Sequence, residues 1–378
     1  MVGTFAAWRL GTLQARALPF ARELRNHGVR SAIVTVPWDQ PTEAGVRDAI
    51  RGVPLLNTRA AGVTSFPVAV AQQIRLVTEL HPRAVHVFKP KGYGGLTGWM
   101  LRRRLPILVD SDDWEGDGGW NQHADYSLPQ RRLFDWQERR LLRDARGVTA
   151  ASHLLAKRAS ILRGSTDSVA WVPNGLDDGW AAQLAAARQE ANGSNRSQPT
   201  IVLYSRFAEF PADWLPNYLH CLSKELEPHE SVRLALVGSA DYPGTGYSNV
   251  EIDQMGYVAH ASIPSVLGAA DIAIYPYSDT LISRSKNSVK LLELMAGGCA
   301  IVAADVGDVP AVGGDAIVVS ASSDPQSFAR VTLQLVRDPA RRSRLQLAAQ
   351  RRAMDHFSVA AVTNRLVAAY RKAGVINR

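Results

Sequence analysis

Short apolar runs alternate along this chain with longer stretches of helical periodicity, the pattern of parallel strands joined by crossover helices. In the first half, residues 2–7, 31–36, 84–88, 107–110, 147–150 and 169–172 read as strands, with helices predicted over 12–26, 67–79 and 130–143. Asn26-His27-Gly28 closes the first of these helices, and Gly28 is placed for the positive φ of a helix C-terminus. From Ala191 to Pro199 the chain is polar, small and rich in breakers, so it reads as a linker or exposed loop. The alternation then restarts, with strands over 200–205, 233–237, 250–253, 272–275, 300–304 and 316–319. Helices are predicted over 216–224, 263–269 and 287–296, and the tail from residue 324 to 378 reads as almost wholly helical.

The result is two α/β units of similar size: residues 1–173, a linker over 174–199, and residues 200–355, followed by a closing helix over 356–378. A chain of 378 residues is too long for one ordinary core and about right for two. In open α/β sheets ligands sit at the carboxyl ends of the strands, and many enzymes share that plan. The N-terminus shows no basic leader followed by a long apolar run, and no stretch approaches the ~18 apolar residues of a membrane span. Cys221 and Cys299 are too few for a disulfide framework or a metal cluster. A cytoplasmic protein is expected.

Charge sharpens the picture. The net charge is +8 and the pI about 9.6, which favours anionic partners. Arg102, Arg103 and Arg104 follow an apolar stretch, and Arg131, Arg132, Arg139, Arg140, Arg143 and Arg146 share one helical segment with Phe134, Trp136 and Leu141. These are solvated helix faces or a peripheral contact with an anionic surface at the inner membrane face. No nucleic-acid-binding motif is present, so no nucleic-acid partner is expected.

Ser288-Val289-Lys290-Leu291-Leu292-Glu293 leads into Leu294-Met295-Ala296-Gly297-Gly298 and then a buried strand. On a helix over 287–296, Val289, Leu292 and Ala296 share one face, while Lys286, Lys290 and Glu293 share another. An anion near the start of that helix would meet free backbone N–H groups and two lysines. The carboxylate beside them suits a pair of sugar hydroxyls. By charge spacing alone, Lys290 and Glu293 make an ordinary surface pair worth about 0.2–0.5 kcal/mol.

The segment from Ser288 to Gly307 resembles the nucleotide-sugar helix and following strand of the family 4 glycosyltransferases, a large family of the GT-B type. Four further fragments resemble that family in the same order. They are Trp171-Val172-Pro173-Asn174-Gly175-Leu176-Asp177, Gly256-Tyr257-Val258 with the stretch from Ile263 to Leu267, Ala269-Ala270-Asp271-Ile272 with Tyr275-Pro276-Tyr277, and the tail around Arg337-Asp338-Pro339 and His356-Phe357-Ser358. The resemblance implies two Rossmann-like domains facing each other across a cleft, with the last helix packing back on the first domain. It implies sugar transfer, with retention, from a UDP- or GDP-linked donor to a hydroxyl acceptor, with no required cofactor or metal. Glu293 would hold the donor ribose, and the backbone of Gly256, Tyr257 and Val258 would frame the base. Arg206 would bind the diphosphate, and Gly11 would let the backbone approach the phosphate; a plain turn at Gly11 explains that glycine equally well.

Three departures bear on the site. The family's second glutamate, eight residues before Glu293, is replaced by Ser285; hydroxyls and N–H groups of Ser285, Lys286, Asn287 and Ser288 are expected to contact the donor instead. The lysine that follows the family arginine is missing, so Lys290, ahead of Lys286 or Arg284, is expected to supply that charge. A cleft histidine is replaced by Asp112, within a run carrying five acids between Asp110 and Asp117. Such a run repels itself unless a cation sits there, and Lys89 and Lys91 are the candidates. Either the loop is solvated, or Lys89, Asp110 and Asp113 recognise acceptor or sugar hydroxyls. Arg206 and Lys290 are the expected catalytic cations, with Asp112 as base or orienting group. Two rival readings stand beside this one. Asp110-Ser111-Asp112 is a D-x-D triplet of the kind that holds a divalent metal in glycosyltransferases of the other major fold, and the missing glutamate and lysine suit a catalytically degenerate nucleotide-sugar-binding protein.

Overall fold

The alternating apolar runs fold into two mostly parallel sheets in the computed structural model, which describes residues 1–6, 12–193, 198–239 and 246–377. The chain divides into a first unit, Met1–Gly175 with Ser285–Asn287 and Val359–Arg378, and a second, Leu176–Arg284 with Ser288–Ser358. No helix among the described residues is long and apolar enough to cross a membrane.

The first sheet holds β1 (Val2–Gly3), β2 (Ile33–Thr35), β3 (Arg47–Ile50), β4 (Val53–Asn57), β5 (Val85–Phe88), β6 (Ile107–Ser111), β7 (Gly147–Ala150) and β8 (Val169–Trp171). Their order is β3-β4-β2-β1-β5-β6-β7-β8, and every pairing is parallel except β3 with β4. That hairpin was not predicted. β3 lies at the sheet edge with only Ile50 buried, so it offers no apolar run to read. Its signal was the Arg51-Gly52 turn, where φ values of 46° and 81° match a tight hairpin connection. β1 stops at Gly3 instead of running to residue 7. Thr4 turns away, and its hydroxyl donates to the Lys91 carbonyl while accepting from the Gly94 N–H.

Helices α1 (Leu18–Glu23), α2 (Phe66–Glu79), α3 (Gly92–Leu101), α4 (Trp120–His123), α5 (Leu128–Asp144) and α6 (His153–Arg163) belong to this unit. The helix predicted over 12–26 is three pieces: a π-helical turn at Leu13–Ala17, then α1, then a 3-10 turn at Leu24–His27 ending on Gly28 at φ 71°. Pro19, in the first turn of α1, has no N–H to give the ladder, so the bonding pattern changes there. Glycine-rich α3 defies helix propensity for a packing reason. A Cβ at Gly98 would lie 2.7 Å from a Val87 methyl, so only glycine lets the helix come this close to β5.

The second sheet, wholly parallel, holds β9 (Thr200–Tyr204), β10 (Val232–Val237), β11 (Val250–Gly256), β12 (Ile272–Tyr275), β13 (Ala300–Ala304) and β14 (Val318–Ser320) in the order β11-β10-β9-β12-β13-β14. Its helices are α7 (Asp178–Asn192), α8 (Trp214–Glu225), α9 (Ile263–Ala269), α10 (Leu281–Ser285), α11 (Val289–Ala296), α12 (Val309–Gly313), α13 (Pro325–Arg337) and α14 (Pro339–Phe357). The core of this unit packs Trp214, Tyr218 and Phe328 against the apolar strands. Helix α7 corrects the linker expected over 174–199. Asp177 caps it by accepting from the Gly179 and Trp180 N–H groups, and buried Arg188 donates to the carbonyls of Gly268 and Ala270 at the end of α9.

The last helix, α15 (Val359–Lys372), is part of the first unit. Its Val362, Leu366, Val367 and Tyr370 join Phe20, Leu24 and Ile33 in one buried cluster. Tyr370 also starts a directed chain of hydrogen bonds. His86 Nδ1 lies 2.8 Å from the Tyr370 hydroxyl and Nε2 lies 3.1 Å from Thr149 Oγ1, while the Thr149 hydroxyl donates to Asp110. Thr149 therefore accepts from His86 Nε2–H, and in the neutral imidazole that leaves Nδ1 to accept from the Tyr370 hydroxyl. Burial, followed by nearby positive charge including Arg16, holds the His86 pKa well below its usual 6.5.

A folded-state pKa below the unfolded one makes the unfolded chain the better proton acceptor, so His86 contributes stability above pH ~6.5 that fades as the pH falls further. His86→Gln should flatten the loss of melting temperature between neutral and mildly acidic pH. An unchanged slope would show that His86 does not carry it.

Candidate active site

In each unit the first strand has neighbours on both sides reached by connections of opposite sense, a topological switch point where ligands bind in such sheets. In the second unit that point lies between β9 and β12. β9 ends in Tyr204-Ser205-Arg206, and β12 ends in Tyr275-Pro276-Tyr277. The end of β10 passes unusually close: a Cβ on Gly238, at φ +133°, would stand 1.7 Å from the Ser205 carbonyl oxygen, so this position requires glycine. The Gly238 N–H donates to the Gly256 carbonyl at 2.8 Å, which sets the end of β11 beside it. Gly256 turns at φ 62°, and Tyr257 is 86% exposed.

Helix α11 brings Lys290 and Glu293 to the same edge. Glu293 is 5% exposed, and its Oε1 accepts from the Trp180 indole at 2.9 Å. Tyr204 also hydrogen-bonds this carboxylate. Burial raises the Glu293 pKa, while Trp180, Tyr204 and Lys290 oppose that rise. Lys290 Nζ stands 4.9 Å from the centre of the Tyr204 ring, a contact worth roughly 0.5–2 kcal/mol. Trp180 stacks on His260 with ring centres 4.0 Å apart. Arg206 keeps 69% of its side chain exposed, near Glu209, whose carboxylate accepts from Ser205 Oγ and the Arg206 N–H. Tyr277 stacks on Tyr275 at 4.0 Å, and burial, with Glu209 adding to it, pushes its hydroxyl up to about 12. The Ser288 hydroxyl bonds both tyrosines.

One expectation for this helix is corrected. Lys286 does not share a helical face with Lys290 and Glu293, because Ser288 is extended at ψ 121° and α11 begins only at Val289. Ser285, Lys286 and Asn287 group with the first unit instead. There the Asn287 side chain accepts from the Asn174 N–H at 2.8 Å, and Lys286 Nζ lies 5.5 Å from the Trp120 ring. Gly11 lies outside the described residues.

The first unit's switch point gathers the acidic run. Lys89, just past β5, stands 3.3 Å from Asp112, 2.8 Å from Asp113 and 2.7 Å from Glu115. Lys91 makes a second ion pair with Glu115. The run is thus compensated from within. Burial alone would lower the Lys89 pKa, yet the three carboxylates hold it well above the usual lysine value. Burial pushes the Glu115 carboxyl up, but Lys89 and Lys91 overcome this and hold it at about 2. Asp113 goes the other way, raised by burial despite Lys89. Lys89 sits at φ 61°, a left-handed conformation that costs a residue with a Cβ about 1–2 kcal/mol.

Asp110 has a different task from the hydroxyl recognition expected of it. It is fully buried, and both its oxygens take the Arg16 guanidinium, at 2.7 and 2.8 Å. Asp112 Oδ2 accepts from Thr12 at 2.8 Å, while its Oδ1 is buried with no hydrogen-bond partner among the described residues. The two carboxylates of the D-x-D triplet therefore face different cations, Arg16 and Lys89. Arg16, Thr12, Trp180, Tyr204 and Glu209 were not singled out from sequence; each is chemically ordinary and gains meaning only from a partner distant in the chain.

Removing one member of a buried ion cluster strands the others, at a cost of about 3–5 kcal/mol. Lys89→Met should lose stability of that order in urea unfolding at neutral pH. The loss should shrink in mild acid as the stranded carboxylates take up protons. A change within ~0.5 kcal/mol would mark the run as solvated.

Comparison with known proteins agrees with this fold. Residues 11–175 match the Glycosyl transferase 4-like domain, and residues 198–338 match Glycosyl transferases group 1, a span that holds Arg206, Lys290 and Glu293. No curated protein matches the chain in sequence. Among solved structures, sucrose-phosphate synthase from Thermosynechococcus elongatus superposes with a TM-score of 0.70 at 16% identity, covering 98% of each chain. HepE of Anabaena in complex with UDP-glucose gives 0.62 at 15% identity, covering 97% of this chain and 98% of that one. The catalytic domain of starch synthase IV from Arabidopsis thaliana, bound to ADP and acarbose, gives 0.65 at 12% identity, covering 99% and 98%. Two family matches in the expected order, on two doubly wound, mostly parallel sheets, make this chain a glycosyltransferase of the GT-B type.

Proposed function

We propose that the chain transfers a sugar from a UDP- or GDP-linked donor to a hydroxyl acceptor, with retention of anomeric configuration and without a metal. The observation that carries this reading is the gathering of Arg206, Lys290 and Glu293 around Tyr204 and Tyr277 at the carboxyl edge of β9 and β12. Two of the carboxylate's roughly four acceptor sites are used by Trp180 and Tyr204. The remaining pair suits a vicinal diol such as the donor ribose. Those same two donors favour the ionised carboxylate, the form that accepts from hydroxyls. The backbone of Gly256, Tyr257 and Val258 frames the base. The nucleotide complexes of HepE and starch synthase IV support a nucleotide donor here.

The slow event is cleavage of the anomeric C–O bond as charge builds on the departing diphosphate. Fixed cations lower that barrier by electrostatic preorganisation. Arg206 and Lys290 fill that role, Arg206 from an exposed guanidinium and Lys290 from its seat on Tyr204. The acceptor hydroxyl passes its proton to the departing phosphate, and Asp112 acts as an orienting group and not as the base. The Lys89 ammonium already meets Asp112, Asp113 and Glu115, which favours a reaction without a divalent ion.

The test is thermal stabilisation by UDP, GDP and ADP, with and without EDTA. UDP or GDP should raise the melting temperature equally in both conditions. Glu293→Gln should weaken that binding by about 1.5–3 kcal/mol, the worth of hydrogen bonds to a charged group. No shift with any nucleotide would sink the donor assignment, and a shift abolished by EDTA would return the reaction to a metal. Asp112→Asn should retain most turnover; a loss of many orders of magnitude would make Asp112 the base.

A further inference from the structure

We propose that the outer face of α5, with the end of α3, docks on an anionic lipid surface. At 3.6 residues per turn, Arg132, Trp136, Arg139, Arg140 and Arg143 fall within roughly 100° of the α5 circumference. The opposite side, with Gln137, Glu138, Leu141 and Leu142, is buried. The Arg stripe is therefore centred on a tryptophan that is 40% exposed. Trp136 meets Trp99 of α3 edge-on at 5.2 Å, and the Arg102 guanidinium lies 4.1 Å over the Trp99 ring. Beside them Met100 is 51% exposed, and Arg103 and Arg104 are exposed.

Charge complementarity names the occupant. Asp135 pairs with Arg139, and Asp144 with Arg140 and Arg143, so two carboxylates face four arginines and the stripe stays positive. Pairs this exposed are weak and exchange readily for lipid phosphate. Guanidinium groups ringing an exposed indole and a methionine combine the two attractions of a bilayer interface, headgroup charge and shallow apolar burial. A nucleic acid would also take the arginines, but it asks for a groove that tracks a backbone. Here the arginines line the convex side of one helix. The patch shares no residue with the active site, so its fate is separate from that of the donor assignment.

The test is co-sedimentation of the full chain with vesicles. Binding to phosphatidylglycerol-containing vesicles should exceed binding to pure phosphatidylcholine by at least about tenfold at low salt and fall as salt rises. Arg132→Glu with Arg140→Glu should weaken it about tenfold or more, and Trp136→Ser severalfold, with melting temperatures unchanged. Arg344→Glu with Arg351→Glu, exposed on α14, makes the same charge change in the second unit and should leave binding intact. Absence of binding to the anionic vesicles overturns the proposal. So does equal binding by wild type and the folded α5 variants, or equal loss in the α14 pair. RNA capture that depends on Arg132 and Arg140, without vesicle binding, would reassign the patch to nucleic acid.

Discussion

One guanidinium ties together three distant parts of the first unit. Arg16, 2% exposed, bonds both oxygens of Asp110 at the end of β6 and the carbonyls of Val172 and Pro173 where the chain leaves β8. It also reaches the Asn174 side chain, and Asn174 in turn holds Asn287. Burying an ion pair is costly unless every lone pair and proton finds a partner. This pair meets that condition through Thr149, His86 and Tyr370, which extend it across the sheet to the last helix. The acidic run hangs from the same frame. Asp112 is two residues past Asp110, and Thr12, four residues before Arg16, holds its Oδ2.

Charge is managed differently in the two units. In the first, two lysines are buried against three carboxylates, so the cations are taken up within the cluster. In the second, Arg206 stays exposed and Lys290 rests on an aromatic face, so positive potential remains at the sheet edge. That asymmetry suits the proposed reaction, in which one substrate carries a diphosphate and the other a hydroxyl.

The strands were legible where both faces are covered, because a buried parallel strand is a continuous apolar run; β7, β12 and β13 carry the predicted bounds. Elements were missed where local rules yield to neighbours. β3 is an exposed edge, α3 is built of glycines, and α7 follows the breakers Pro173, Asn174 and Gly175. Lys290 and Glu293 could be read from spacing within one helix, and the resemblance gave them meaning. Trp180 could not, since it reaches Glu293 from 113 residues away. Asp110 was misread for the same reason: its true partner, Arg16, lies 94 residues before it.

The interleaving of the two units along the chain has a consequence for biosynthesis. Helix α15 follows every strand of the second unit along the chain, yet it fills the core of the unit that is made first. Domains of nascent chains generally fold in order of emergence. Here the order is inverted at the finish: the later-made sheet has all its strands before the earlier one can close, and the Tyr370 hydroxyl arrives last to its imidazole. A ribosome stalled before α15 emerges would hold a chain whose second sheet has all its described strands and whose first unit still lacks its lid of Val362, Leu366 and Tyr370.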